Sequence, residues 1–145
     1  MAAPNSRKPR VLIVEDDPDM LELFAAILEQ AGYQVSKAEH ALAAVCTIVR
    51  SLPDLIVADI RMPIMDGFAL VRELKSSRDT AAIPVVAVTG MDTPEYREAA
   101  FEAGCAAFVS KPIDPARFST QIGKLLKRAS VLGMTRIADQ RSEIR

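Results

Sequence analysis

Glu15, Asp16, Asp59, Thr89 and Lys111 are the residues whose types could do chemistry together. Each stands at the end of a short apolar run. "VLIV" at 11–14 leads into Glu15-Asp16-Asp17, and "LIVA" at 55–58 into Asp59. "VVAV" at 85–88 leads into Thr89-Gly90, and "CAAFVS" at 105–110 into Lys111-Pro112. Carboxylates brought together raise one another's pKa values. A hard divalent cation relieves them, and Mg2+ accepts one or two carboxylates, several waters and phosphate oxygens. A lysine and a threonine opposite a metal-bound carboxylate suit phosphoryl transfer. The carboxylate is then the nucleophile and becomes an aspartyl phosphate. Metal, ammonium and hydroxyl offset charge on the phosphoryl oxygens.

These residues can meet only if the runs that carry them lie side by side. Continuous runs rich in Val and Ile suit strands buried on both faces of a parallel sheet. "YQVSKA" at 33–38 is a weaker strand candidate, as is 105–110. Helical patterns lie between the strands. Residues 18–31, "PDMLELFAAILEQA", place Met20, Leu21, Phe24, Ile27, Leu28 and Ala31 on one face, and Gly32 stops that helix. Segments 40–50, 67–77 and 93–103 supply three more, and Gly104 closes the last of these. Asp17-Pro18, Thr93-Pro94 and Asp114-Pro115 each pair an N-cap side chain with proline at the first helical position. Asp17 therefore caps a helix rather than joining the acidic site. The fold class is α/β: strand and helix alternate five times around a doubly wound, five-stranded parallel sheet. Ligands in such sheets bind at the carboxyl ends of the strands, where the chemistry-bearing residues fall.

The chain has 145 residues, which suggests one domain. Its net charge of −1 gives no reason to expect nucleic acid or an anionic membrane surface as a direct partner. No apolar run is long enough to span a bilayer, and no secretory signal is visible, so a cytoplasmic setting is expected. Cys46 and Cys105 lack metal-ligand spacing and read as small buried hydrophobes; the single His40 opens the second helix and reads as a surface residue. Residues 1–9 carry no pattern and are expected to be disordered. Residues 129–145 are expected to be a tail or linker that extends the fifth helix or docks on a partner.

Taken in order, four motifs resemble the receiver domain of bacterial two-component response regulators, over residues 10 to about 128. They are "VLIVEDD", "PDLIVADIRMPIMDG", "IPVVAVTG" and "GCAAFVSKPID". The resemblance implies a flavodoxin-like, CheY-like fold with Asp59 as phosphoacceptor. It implies Mg2+, with Mn2+ as a substitute, held by Asp16 and Asp59, by Glu15 through a water, and by the Arg61 carbonyl. Lys111 and Thr89 would contact the phosphoryl group, with the N–H groups of Ile60 and Gly90. Thr89 and Phe108 would be the switch pair, the Lys111-Pro112 bond would be cis, and Met62-Pro63 and Asp66-Gly67 would shape the loop after Asp59. Glu15 stands where many members have Asp, and Phe108 lacks the hydroxyl of a tyrosine.

The implied partner is a sensor histidine kinase or a histidine phosphotransfer protein. The implied output is a switch in protein contacts at the face formed by the fourth helix, fifth strand and fifth helix, in a monomer or weak dimer. The chain carries no recognisable output domain, so a stand-alone receiver is the first expectation. A receiver fragment with an output domain beyond Arg145 is the second, and a phosphorylation-independent scaffold the third. A hydrolase similar to haloacid-dehalogenase-like phosphatases is disfavoured, because its chemistry wants an acid two residues after the nucleophile and Arg61 stands there.

Overall fold

The computed structural model describes residues 7–60 and 67–144, with side chains as far as Ser130. Five strands, β1 (Arg10–Val14), β2 (Gln34–Ala38), β3 (Leu55–Asp59), β4 (Val85–Thr89) and β5 (Ala107–Ser110), alternate with five helices. These are α1 (Pro18–Gln30), α2 (Ala41–Arg50), α3 (Gly67–Ser76), α4 (Pro94–Ala103) and α5 (Pro115–Ile144). All strand pairs are parallel, in the order β2-β1-β3-β4-β5. The expected α/β architecture is therefore the one observed. The direction of winding reverses between β1 and β3, which opens a crevice at their carboxyl ends.

The continuous apolar runs are explained by burial on both faces. Every residue of β3 and β4 is buried. Alternate side chains enter different layers. Val11, Ile13, Leu55 and Val57 pack against α1 and α5, where Phe24 and Phe118 lie 5.6 Å apart. Leu12, Val14, Ile56 and Ala58 pack under α2, α3 and α4. The edge strand β2 is mostly exposed, which accounts for its weaker pattern.

Helix ends follow their local chemistry. Asp17 accepts the Asp19 N–H at 2.9 Å, Thr93 accepts the Tyr96 N–H at 3.2 Å, and Asp114 accepts the Ala116 N–H at 3.0 Å. Gly104 adopts φ +114° after α4, a conformation that side chains disfavour. His40 caps α2, its Nδ1 accepting the Ala43 N–H at 3.1 Å.

Two readings need adjusting. Cys105 is buried as expected, and burial pushes its thiol up to about 11. Cys46 is exposed, because α2 meets the sheet through Ala41, Ala44 and Ile48, and its apolar residues extend beyond that face to exposed Leu42 and Val49. The chain is also tied down ahead of Arg10. The Pro9 carbonyl accepts the Gln34 N–H at 2.9 Å, and Arg7 pairs with Asp54 at 2.8 Å. At the other end, α5 continues unbroken across residues 129–144.

Candidate functional site

The register of the sheet brings the strand ends together. Val14 pairs with Ala58, Asp59 with Val88, and Thr89 with Ser110. Glu15, just past β1, is 1% exposed, because its N–H continues the ladder to the Ala38 carbonyl at 3.0 Å. Asp16 is exposed and Asp59 is buried at the end of β3. One oxygen from each of these three acids lies within 4.8 Å of the others.

Lys111 reaches into this group from the segment after β5. Its Nζ donates to Glu15 Oε1 at 3.0 Å and to Asp59 Oδ2 at 3.1 Å. Its own N–H donates to the Thr89 carbonyl at 2.9 Å, which fixes the segment against β4. The Lys111-Pro112 bond is cis. Burial works against the ammonium, but the hydrogen bonds and charges of Glu15 and Asp59 together raise its pKa. Glu15 responds in the opposite sense to an ordinary ion-paired acid. Burial pushes its carboxyl up to about 7, against hydrogen bonds from Lys111 and the Asp17 N–H. The pocket thus sets one ammonium among three carboxyl groups. All its acidic donors are oxygens, the choice of a hard divalent ion such as Mg2+.

Thr89 is fully buried, and its Oγ1 accepts the Met91 N–H at 3.1 Å. Gly90 is exposed with open space around its Cα, while Ile60 is buried. Phe108 lies inward, 8% exposed, in the layer under α4. Arg61, Met62, Pro63 and Asp66 lie outside the described residues, so the expected carbonyl ligand and most of the loop do too.

Gly67 closes that loop by close approach rather than by unusual φ. Its N–H donates to the Ile60 carbonyl at 3.2 Å, and a Cβ there would sit 2.4 Å from Ile60 Cα. Gly67→Ala must displace the residue next to Asp59. We expect it to lose about 1–3 kcal/mol of stability. Urea unfolding checks this, and a wild-type midpoint would reject the contact as a constraint.

A group at the edge of the site has no local signature in the sequence. Arg97 on α4 donates twice to Asp92, with Nη2 at 3.0 Å from Oδ2. Ser110 also donates to Asp92 Oδ2. The Arg97 guanidinium stands 5.0 Å from the centre of the Phe108 ring. These hydrogen bonds, that of Arg97 foremost, hold Asp92 down at about 2. Asp92 and Arg97 are only five residues apart, but the tertiary fold alone brings Ser110 and Phe108 to them.

Strand order and crevice together place the molecule in the flavodoxin-like class, with its polar residues where that class binds ligands. Comparison with known proteins narrows this. The response regulator receiver domain family matches residues 11–123, and the chain belongs to that family. The chain is 33% identical over 120 residues to the DNA-binding dual master transcriptional regulator RpaA of Synechocystis, covering 83% of this chain and 50% of that protein. It is 34% identical over 117 residues to the protein PilH of Pseudomonas aeruginosa, covering 81% of this chain and 97% of that one. The chain thus spans half the length of one relative and nearly all of another. A solved CheY-like receiver domain from Methanospirillum hungatei superposes with a TM-score of 0.82 at 29% identity, covering 88% of this chain and all of that one. The family is one of phosphoacceptor signalling domains that generally bind Mg2+ in an acidic pocket. Its members interact with histidine kinases or phosphotransfer proteins and with downstream targets. Among the described residues, no helix is long and apolar enough to cross a membrane.

Proposed function

We propose that Asp59 accepts a phosphoryl group from the phosphohistidine of a kinase or phosphotransfer protein and that this switches the protein's contacts. The observation that carries this reading is the Asp59–Lys111 pair, at 3.1 Å, beside Glu15 and Asp16 at the crevice of the sheet. Mg2+ or Mn2+, held by Asp16 and Asp59 directly, by Glu15 through water and by the Arg61 carbonyl, would offset charge on the phosphoryl oxygens. The Asp59 carboxylate attacks phosphorus in line. An O–P bond forms, the P–N bond breaks, and its electron pair stays on the imidazole. Lys111 leaves the carboxylate and follows a phosphoryl oxygen, and the N–H groups of Ile60 and Gly90 donate to the others. Thr89 turns its hydroxyl toward the phosphoryl group, giving up the Met91 N–H. Phe108 moves into the space vacated. The output is a population shift in the α4–β5–α5 face, toward a form that a downstream protein binds. A receiver without an attached output domain has a parallel in PilH, 97% of which the match covers. A monomer or weak dimer suffices for it.

The test is the intact mass after incubation with Mg2+ and acetyl phosphate, beside Asp59→Asn. One phosphoryl group on the wild type alone supports the reading. No adduct on either protein, with beryllofluoride also failing to bind, rejects it in favour of a phosphorylation-independent scaffold.

A further inference from the structure

Helix α2 differs from the other four in what it shows to solvent. The exposed sides of α1, α3, α4 and α5 carry charges such as Glu22, Glu73, Glu98 and Lys124. On α2 no acid, lysine or arginine stands between Glu39 and Arg50. Leu42 and Val49 are 70% and 80% exposed, and Cys46 between them is exposed as well. The Thr47 hydroxyl adds little polarity, because it donates to the Ala43 carbonyl at 2.9 Å. Leu42 and Val49 are seven residues apart, two helical turns, and Cys46 falls between them on the same stripe. Leu52, also exposed, lengthens the stripe past the helix. Contiguous apolar surface with a polar border marks a contact site for another molecule.

The pattern reads the same in both directions. Turned end for end, a second α2 sets Leu42 opposite Val49 and Cys46 near its own copy. The borders fit the same symmetry with opposite charge: exposed Glu39 precedes the helix and exposed Arg50 ends it. An antiparallel pair joins Glu39 of each copy to Arg50 of the other, whereas a parallel pair brings like charges to each end. Antiparallel packing also sets opposite ends of the two helix dipoles together. A patch complementary to itself is what a two-fold interface requires. We propose that the exposed face of α2 docks a second copy of this chain, antiparallel, about a two-fold axis beside Cys46. Two ten-residue helices cover less surface than a standard interface, so the dimer is weak and forms with rising concentration. It uses α2 rather than the α4–β5–α5 face, and it needs neither metal nor phosphoryl group.

Sedimentation velocity of the full chain, without metal, tests this over a range of concentrations. The wild type should sediment faster as concentration rises, toward the value of a dimer. Leu42→Glu and Val49→Glu should each raise the dissociation constant about tenfold or more, because the two-fold axis places two new carboxylates in one apolar contact. Both positions face water in the monomer, so both variants fold. Glu39→Arg and Arg50→Glu should each weaken the dimer about threefold. The two together should restore it, since the swap rebuilds both ion pairs in reverse. A wild type that stays monomeric up to about 1 mM overturns the second copy as occupant, in favour of a different protein. A dimer that survives both glutamates forms elsewhere and overturns the assignment to α2. A double swap no tighter than either single one overturns the antiparallel register.

Discussion

Lys111→Met is expected to slow phosphoryl uptake from acetyl phosphate by about 10²–10³-fold, the usual loss when one preorganised donor is removed from a developing oxyanion. The lysine is held in place before any donor arrives, by Glu15 and Asp59 on its Nζ and by the Thr89 carbonyl on its N–H. It pays little reorganisation on moving from a carboxylate oxygen to a phosphoryl oxygen. Lys111→Arg keeps the charge but not the compact ammonium, so rescue should be partial. The domain should remain folded near neutral pH. Glu15 already binds a proton with a pKa of about 7, so losing the ammonium leaves a carboxylic acid there rather than a stranded charge. A time course of intact mass under saturating Mg2+ reads the rate. An unchanged rate would remove Lys111 from the chemistry.

The second large effect is on stability. Without metal, the protein should become less stable as pH rises through neutrality, the reverse of the usual behaviour of buried acids that are paired. The Glu15 carboxyl sits at about 7 in the fold against 4.5 ordinarily. The native state therefore holds a proton that the unfolded chain has released. This contribution is complete below about pH 4.5 and is lost as pH climbs through 7. A tenfold change in proton affinity is about 1.4 kcal/mol, so the loss amounts to about 3 kcal/mol. Urea unfolding in a chelator between pH 5 and pH 8.5 measures it. Glu15→Gln removes the titration and should flatten the profile, leaving the variant more stable than the wild type at the alkaline end. Added Mg2+ should restore part of the wild-type loss, because it replaces the proton as the partner of the acids. Parallel pH profiles for wild type and Glu15→Gln would overturn the assignment to Glu15.

Much of this site was legible because its determinants are local. A strand buried on both faces must be written as a continuous apolar run, so residues 11–14, 55–58 and 85–88 declared themselves, and the residue after each run was fixed at the crevice. Helix starts were legible for the same reason, since Asp17, Thr93 and Asp114 each act on N–H groups two or three residues away. What escaped depends on orientation or on distant partners. Cys46 looked buried because the apolar surface of α2 is wider than the face that meets the sheet, and nothing local says where that face ends. His40 read as a surface residue because a capping imidazole resembles any polar residue before a helix. The double role of Lys111 toward Glu15 and Asp59 spans 96 and 52 residues of chain. The stacking of Arg97 on Phe108 exists only once α4 is laid beside β5.

Among the described residues, the sheet also divides the interior into two compartments that share no side chain. Phe108 and its surroundings lie on the side of α2, α3 and α4, while Phe24 and Phe118 fill the other side. Strand residues alternate between the two, so a substitution enters one or the other and rarely both. Sites separated in this way contribute to stability nearly independently. The layer under α1 can therefore drift in sequence, trading one apolar side chain for another, without retuning the layer that houses Phe108. A lineage could adjust how firmly the molecule folds and how readily it responds as two separate traits.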